Sequence, residues 1–170
     1  MTRRHLMGFL SSLGLASQAG AAKTAQTAHA ASPPTAAGGP EPWRLSEAQW
    51  RERLDAAQFR VLREEATERA GSSPLNQERR PGSYHCAGCE LPLFASTAKY
   101  ESGTGWPSFH TPLPSALGTR TDFKMLIPRT EYHCVRCDGH QGHVFSDGPR
   151  PSGKRYCNNG VALRFVLTAA

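Results

Sequence analysis

Five cysteines set the chemistry open to this 170-residue chain. Four fall in two C-x-x-C pairs, Cys86-Ala87-Gly88-Cys89 and Cys134-Val135-Arg136-Cys137, and the fifth stands alone in Arg155-Tyr156-Cys157-Asn158-Asn159. Each pair offers two thiolates from one tight turn, so together they supply the four soft ligands of a tetrahedral Zn2+ at ~2.3 Å. A closed shell leaves no position for a substrate, so the spacing predicts one structural zinc. Cys157 is then the candidate nucleophile. Arg155, two residues away, favours a thiolate, and the Asn159 amide can orient a bound polar group.

Other readings of the same cysteines stay open. Disulfides would suit an oxidising compartment, although a bridge within one C-x-x-C closes too short a loop to stabilise much. Cys134 and Cys137 could instead join His140 and His143 in a local C-x-x-C-x-x-H-x-x-H set, which would strand Cys86 and Cys89. A buried, inert cysteine with a chance polar flank is the plainer account of Cys157. For the whole chain, a zinc-ribbon binding module and a dithiol exchange protein compete with an enzyme.

The cysteines must be positioned by elements that begin well inside the chain. Residues 1–30 read as a twin-arginine-like signal peptide: Arg3-Arg4 precede a short apolar run, Leu6 to Leu15, and Ala-x-Ala-like sites end at Ala22 or Ala30. That run is shorter than the ~20 residues a membrane span needs. Export, for instance to a periplasm, with no stable membrane association after cleavage, is the expectation. Loss of Arg3, Arg4 and Lys23 leaves 17 of the 20 basic residues against 14 acidic ones, a charge of +3 instead of +6. So small and scattered an excess argues against a nucleic-acid partner.

Residues 31–43, rich in Ala, Pro and Gly, read as a linker to a single domain over 44–170. Its start is marked by a capping box at Ser46 and Gln49, with Leu45 placed to staple onto Trp50. Asp55 and Gln58 repeat the pattern, so two short helices can replace one. Trp50, Leu54, Ala57 and Val61 keep helical spacing and read as a packing face. Gly71 to Gly82 reads as a polar surface loop. Beyond it, Ser83 to His85, Phe123 to Ile127, Thr130 to His133 and Val161 to Leu167 read as short strands. The expected fold is mainly β: a compact, zinc-containing antiparallel domain behind a short helical N-terminal segment. The 44 residues between Cys89 and Cys134 require the fold to bring the two cysteine turns together.

Several segments in order carry a family resemblance. Ser102-Gly103-Thr104-Gly105-Trp106-Pro107-Ser108-Phe109, Gly139-His140-Gln141-Gly142-His143-Val144-Phe145 and Arg155-Tyr156-Cys157-Asn158-Asn159 closely resemble the type B methionine sulfoxide reductases. Leu91-Pro92-Leu93-Phe94, Arg129-Thr130-Glu131 and Ala162-Leu163-Arg164-Phe165 extend the match over most of residues 44–168. The resemblance implies reduction of the R epimer of methionine sulfoxide, mainly in oxidised proteins, with zinc on Cys86, Cys89, Cys134 and Cys137. It implies Cys157 as nucleophile, His140, His143 and Asn159 as active-site polar residues, and Trp106 as the indole that packs on the substrate methyl. Arg155 and Asp147 match supporting positions. Many family members carry a resolving cysteine where this chain has Thr104, so an external thiol or thioredoxin-like donor is expected to regenerate Cys157. Nothing in the sequence demands assembly, and a monomer is expected.

Overall fold

The computed structural model describes residues 43–168. The expected signal peptide, and the expected linker apart from Trp43, lie outside the described residues. Both capping boxes form. Ser46 and Gln49 exchange side-chain and backbone hydrogen bonds at the head of α1 (Glu47–Arg53), and Asp55 and Gln58 do so at α2 (Ala56–Glu64). Each box satisfies donors that a helix start leaves orphaned, which explains why the region breaks into two helices at Leu54-Asp55. Trp50, Leu54, Phe59, Val61 and Leu62 point inward and are buried. The polar loop before the strands contains one short 3-10 turn, Pro74–Gln77.

The strands are β1 (Gly82–Cys86), β2 (Pro92–Ala95), β3 (Lys99–Tyr100), β4 (Ser108–Phe109), β5 (Leu117–Asp122), β6 (Arg129–Cys134), β7 (His140–Phe145), β8 (Arg155–Asn158) and β9 (Leu163–Leu167). They pair antiparallel in two sheets, ordered β2-β1-β9 and β3-β4-β8-β7-β6-β5. The fold is mainly antiparallel β with two short helices in front, as the strand-length runs predict. Aromatic rings join the sheets. Phe94 of the small sheet stacks on Phe109 of the large one at 4.1 Å between centroids and meets Tyr132 edge-on at 6.2 Å. Tyr84 meets Phe109 edge-on at 4.9 Å, and all four rings are fully buried. Such pairs contribute roughly 0.5–1.5 kcal/mol each beyond their buried area.

One expected strand is not there. Phe123 to Ile127 form a loop between β5 and β6, with Phe123, Met125, Leu126 and Ile127 exposed. β5 ends because the Asp122 carboxylate accepts the Lys124 N–H at 2.8 Å, an Asx turn that diverts the backbone. Pro128 then withholds the donor a continuing ladder would need. The last strand is also shorter than the run Val161 to Leu167, since residues 160–162 make a 3-10 turn first.

Candidate active site and metal centre

The two cysteine turns are built alike. In each, the residue after the second cysteine donates its N–H to the carbonyl of the first cysteine: Glu90 to Cys86 and Asp138 to Cys134, both at 2.8 Å. Both residues take the left-handed conformation, φ 63° at Glu90 and 58° at Asp138, which folds the turn tightly enough to aim two thiols at one point. The first turn follows β1 of the small sheet and the second follows β6 of the large one. The four Sγ atoms lie within 4.8 Å of one another, and all four residues are buried.

Cys86 and Cys137 sulfurs are 3.6 Å apart, and those of Cys89 and Cys134 3.4 Å. These gaps exclude disulfides, whose sulfurs bond at ~2.05 Å. They lie near the ~3.8 Å edge of a tetrahedron of thiolates around an ion at ~2.3 Å. Gln141 Nε2 also donates to Cys86 Sγ at 3.4 Å, as suits a thiolate acceptor. The donor set can hold one metal ion. His140 and His143 are not part of it, so the local Cys2His2 alternative fails.

Helices α1 and α2 cover this cluster. Trp50 and Leu62 pack on Gly88, and Leu62 on Gly139. Three arginines cap turn carbonyls: Arg53 on Gly88 at 2.7 Å, Arg63 on Cys137 at 2.9 Å, and Arg136 on Cys89 at 3.1 Å. Of the expected stripe, Trp50 packs on the first cysteine turn and Leu54 and Val61 are buried, whereas Ala57 is exposed because the chain breaks into a second helix before it.

Cys157 lies on β8, half-buried and apart from the other thiols. Thr104 Oγ1 stands 4.0 Å from its sulfur, and a chain of hydroxyls continues from Thr104 to Ser102 at 2.9 Å and on to Ser108 at 2.7 Å. Burial pushes the Cys157 thiol above its usual range, although Thr104, Arg155 and Ser108 pull the other way. The cation near Cys157 therefore favours a thiolate but does not outweigh desolvation. Part of its charge is engaged, since Arg155 donates twice to Asp147, at 2.9 and 2.8 Å, and lies over the Phe145 ring.

Sheet register lines up the chemistry. Ser108 pairs with Cys157, Cys157 with His143, His143 with Glu131 and Glu131 with Arg120, so one row crosses five strands. Directly paired side chains share a face. The row therefore sets thiol, imidazole, carboxylate and guanidinium side by side. Gly142 permits the close approach, because a Cβ there would fall 1.9 Å from the Cys157 carbonyl.

Each histidine has its own carboxylate. His143 Nε2 meets Asp122 Oδ2 at 2.7 Å, and His140 Nδ1 meets Glu131 Oε1 at 2.7 Å. An ionised carboxylate only accepts, so the protons sit on His143 Nε2 and His140 Nδ1, and the rings hold opposite tautomers. Burial lowers the His143 pKa despite Asp122. Hydrogen bonds from Lys124 N–H, His143 and Arg129 hold Asp122 well below the carboxylate range. At Glu131, burial alone would raise the pKa, but His133, His140 and Arg120 outweigh it and hold the carboxyl at about 2. His140 Nε2 is buried without a partner, and its ring meets that of His143 edge-on at 5.4 Å.

Asn159 and Trp106 converge on Glu68. Asn159 Oδ1 accepts the Glu68 N–H at 3.0 Å, its Nδ2 donates to the Gln141 carbonyl at 3.0 Å, and Trp106 Nε1 donates to the Glu68 carbonyl at 3.1 Å. The Glu68 carboxylate accepts the N–H groups of Gly160 and Val161. Both ends of the Asn159 amide are thus occupied by backbone, so in this conformation it positions a loop.

The SelR domain family profile matches residues 54–167. The chain is 52% identical over 116 residues to "Peptide methionine sulfoxide reductase MsrB" of Pseudomonas entomophila, covering 68% of this chain and 88% of that protein. The Thiobacillus denitrificans protein of the same name is 50% identical over 121 residues, 71% of this chain and 92% of the relative. This chain belongs to the SelR family, the MsrB-type methionine sulfoxide reductases. It is also 45% identical over 125 residues, 73% of its length, to "Peptide methionine sulfoxide reductase B1, chloroplastic" of Oryza sativa subsp. japonica, of which it spans 58%.

Within this MsrB-family fold, reasoning from residue types missed Asp122, Glu131, Glu68, Ser102 and Ser108 as parts of the site. Strand alternation could have found Glu131, since it shares a face with Arg129 and His133 on β6. The pairing of Asp122 with His143 and those of Glu68 leave no local signal, because the partners are 21 and 38 or more residues away.

Proposed function

We propose that this chain reduces methionine R-sulfoxide, chiefly in oxidised proteins, with Cys157 as nucleophile. The row Ser108, Cys157, His143, Glu131 is the observation that carries this reading, because it sets a thiol beside an imidazole with a carboxylate behind it. Cys157 sulfur attacks the sulfoxide sulfur, and the sulfoxide oxygen takes a proton from the His140/His143 pair. The sulfur–oxygen bond of the substrate breaks and the oxygen passes to Cys157, so methionine is released reduced by two electrons and Cys157 is oxidised to a sulfenic acid. The unpartnered His140 Nε2 suits this task, since a substrate oxygen would satisfy it while Glu131 holds the ring through Nδ1. Trp106, fixed through Glu68, supplies the wall for the substrate methyl group. Arg155, held by Asp147, stabilises charge beside the nucleophile, and Asn159 acts by holding the Trp106 loop.

A Zn2+ on Cys86, Cys89, Cys134 and Cys137 would tie the two sheets together and takes no part in the reaction. With four thiols held there and Thr104 beside Cys157, the sulfenic acid has no cysteine partner among the described residues. Two external thiols, from a small molecule or a thioredoxin-like protein, then reduce it, releasing water and a disulfide. The test is turnover of the separated R and S sulfoxides with dithiothreitol. The wild type should reduce the R form, and Cys157→Ser should lose at least ~1,000-fold. Near-normal turnover by that variant would sink the assignment.

A further inference from the structure

Six large apolar side chains stand exposed among the described residues, and four of them, Phe123, Met125, Leu126 and Ile127, fall in the loop between β5 and β6. Their exposures run from 61% at Met125 to 104% at Leu126, while the loop's polar groups are tied down. Lys124 gives its N–H to Asp122 and its ammonium to Glu65, and Arg129 closes the other end onto Asp122. The anchored polar groups leave the apolar ones facing water, and clustered exposure of this kind marks a binding surface.

The loop adjoins the chemistry. The Asp122 carboxylate at its base holds His143, which pairs directly with Cys157. An open groove of about 340 Å3 has Glu131 of the catalytic row and Phe123 of the loop in the same lining.

Resting on the activity proposed above, we infer that this loop docks the unfolded polypeptide that carries the oxidised methionine, holding apolar residues near the sulfoxide. From β8 to β5 is three strand spacings, ~14 Å, which an extended chain covers in about four residues. The occupant follows from the substrate's own chemistry. Oxidation makes a core methionine polar and disrupts its packing, so a methionine sulfoxide arrives with its former apolar neighbours exposed. A surface that meets many such sequences needs adaptable apolar contacts, and the unbranched Met125 and the flexible Leu126 suit this.

The experiment compares full-length, metal-loaded wild type with Phe123→Ser/Met125→Ser/Leu126→Ser/Ile127→Ser, using dithiothreitol as reductant. The substrates are oxidised casein, an unfolded protein, and N-acetyl-methionine R-sulfoxide. The variant's KM for oxidised casein should rise about tenfold, with kcat/KM on the small sulfoxide within about twofold of wild type. Equal losses on both substrates, or no change on either, overturn the inference. So does a wild-type dimer in sedimentation that the substitutions dissociate, or a raised KM confined to a thioredoxin donor. Binding of oxidised casein to Cys157→Ser, with and without the loop changes, reads docking without turnover. A wild type that reduces neither substrate would therefore defeat the activity, while the binding measurement still decides the loop.

Discussion

The molecule holds its thiols in two opposite ways. The four clustered cysteines are buried, aimed at one another by matched turns, and roofed by Trp50, Leu62 and three arginines on the turn carbonyls. Cys157 is half-buried on β8, with hydroxyls and an imidazole beside it and no second thiol against it among the described residues. The same side chain is closed in among three other thiols at the cluster and left accessible, among polar groups, at Cys157.

The contrast breaks most visibly at the cluster. Cys134→Ser removes one ligand and leaves three buried thiols with an incomplete shell, and metal sites of this kind contribute on the order of 10 kcal/mol to folding. We expect the loss of bound zinc and of a cooperative near-UV CD transition, whereas Cys157→Ser should melt within a few degrees of wild type. A Cys134→Ser protein that melts like wild type would show that the cluster is not what joins the sheets.

A smaller effect is expected at the carboxylate behind His143. Asp122→Asn takes away the charge that favours the imidazolium, so the already lowered His143 pKa should fall further. The limb of the pH–rate profile that requires the protonated ring then moves to lower pH, and kcat drops about tenfold to a hundredfold. An unchanged profile would show that His143 does not donate the proton.

The smallest effect concerns Cys157 itself. Because burial raises its pKa, alkylation by iodoacetamide should keep accelerating above the ordinary thiol value of ~8.5, where an unperturbed cysteine would level off. Thr104→Val removes the hydroxyl that partly offsets burial and should slow alkylation at neutral pH by a factor of about two to five. Mass spectrometry that finds the clustered cysteines alkylated as fast in metal-loaded protein would erase the distinction between the two regions.

Much of this was legible in the residues. Capping boxes at Ser46 and Asp55 announced both helices because they are local, four-residue devices. The C-x-x-C spacing announced the cluster because each turn makes its own ligand pair. Phe123 to Ile127 misled because an apolar, β-prone run looks the same whether it faces a core or water. What decides is Asp122, whose side chain serves both the turn and a histidine on another strand. Register was equally hidden. The row from Ser108 to Arg120 depends on four strand pairings, and the register shift at Tyr132/His133 sets His140 opposite His133, on the face it shares with Glu131. The partners of Asn159 were hidden too, since its amide meets the Glu68 N–H and the Gln141 carbonyl, 91 and 18 residues away.

The small sheet carries a consequence for how the protein comes into being. Its central strand β1 pairs with β9 from Gly82↔Leu167 to Cys86↔Leu163, so the strand bearing the first cysteine of the cluster waits for residues some eighty positions further along the chain. Contacts so distant in sequence form late. On the ribosome, Cys86 therefore emerges well before β9 can close the sheet around it, and until then its thiol stands open to oxidants that the folded protein keeps out.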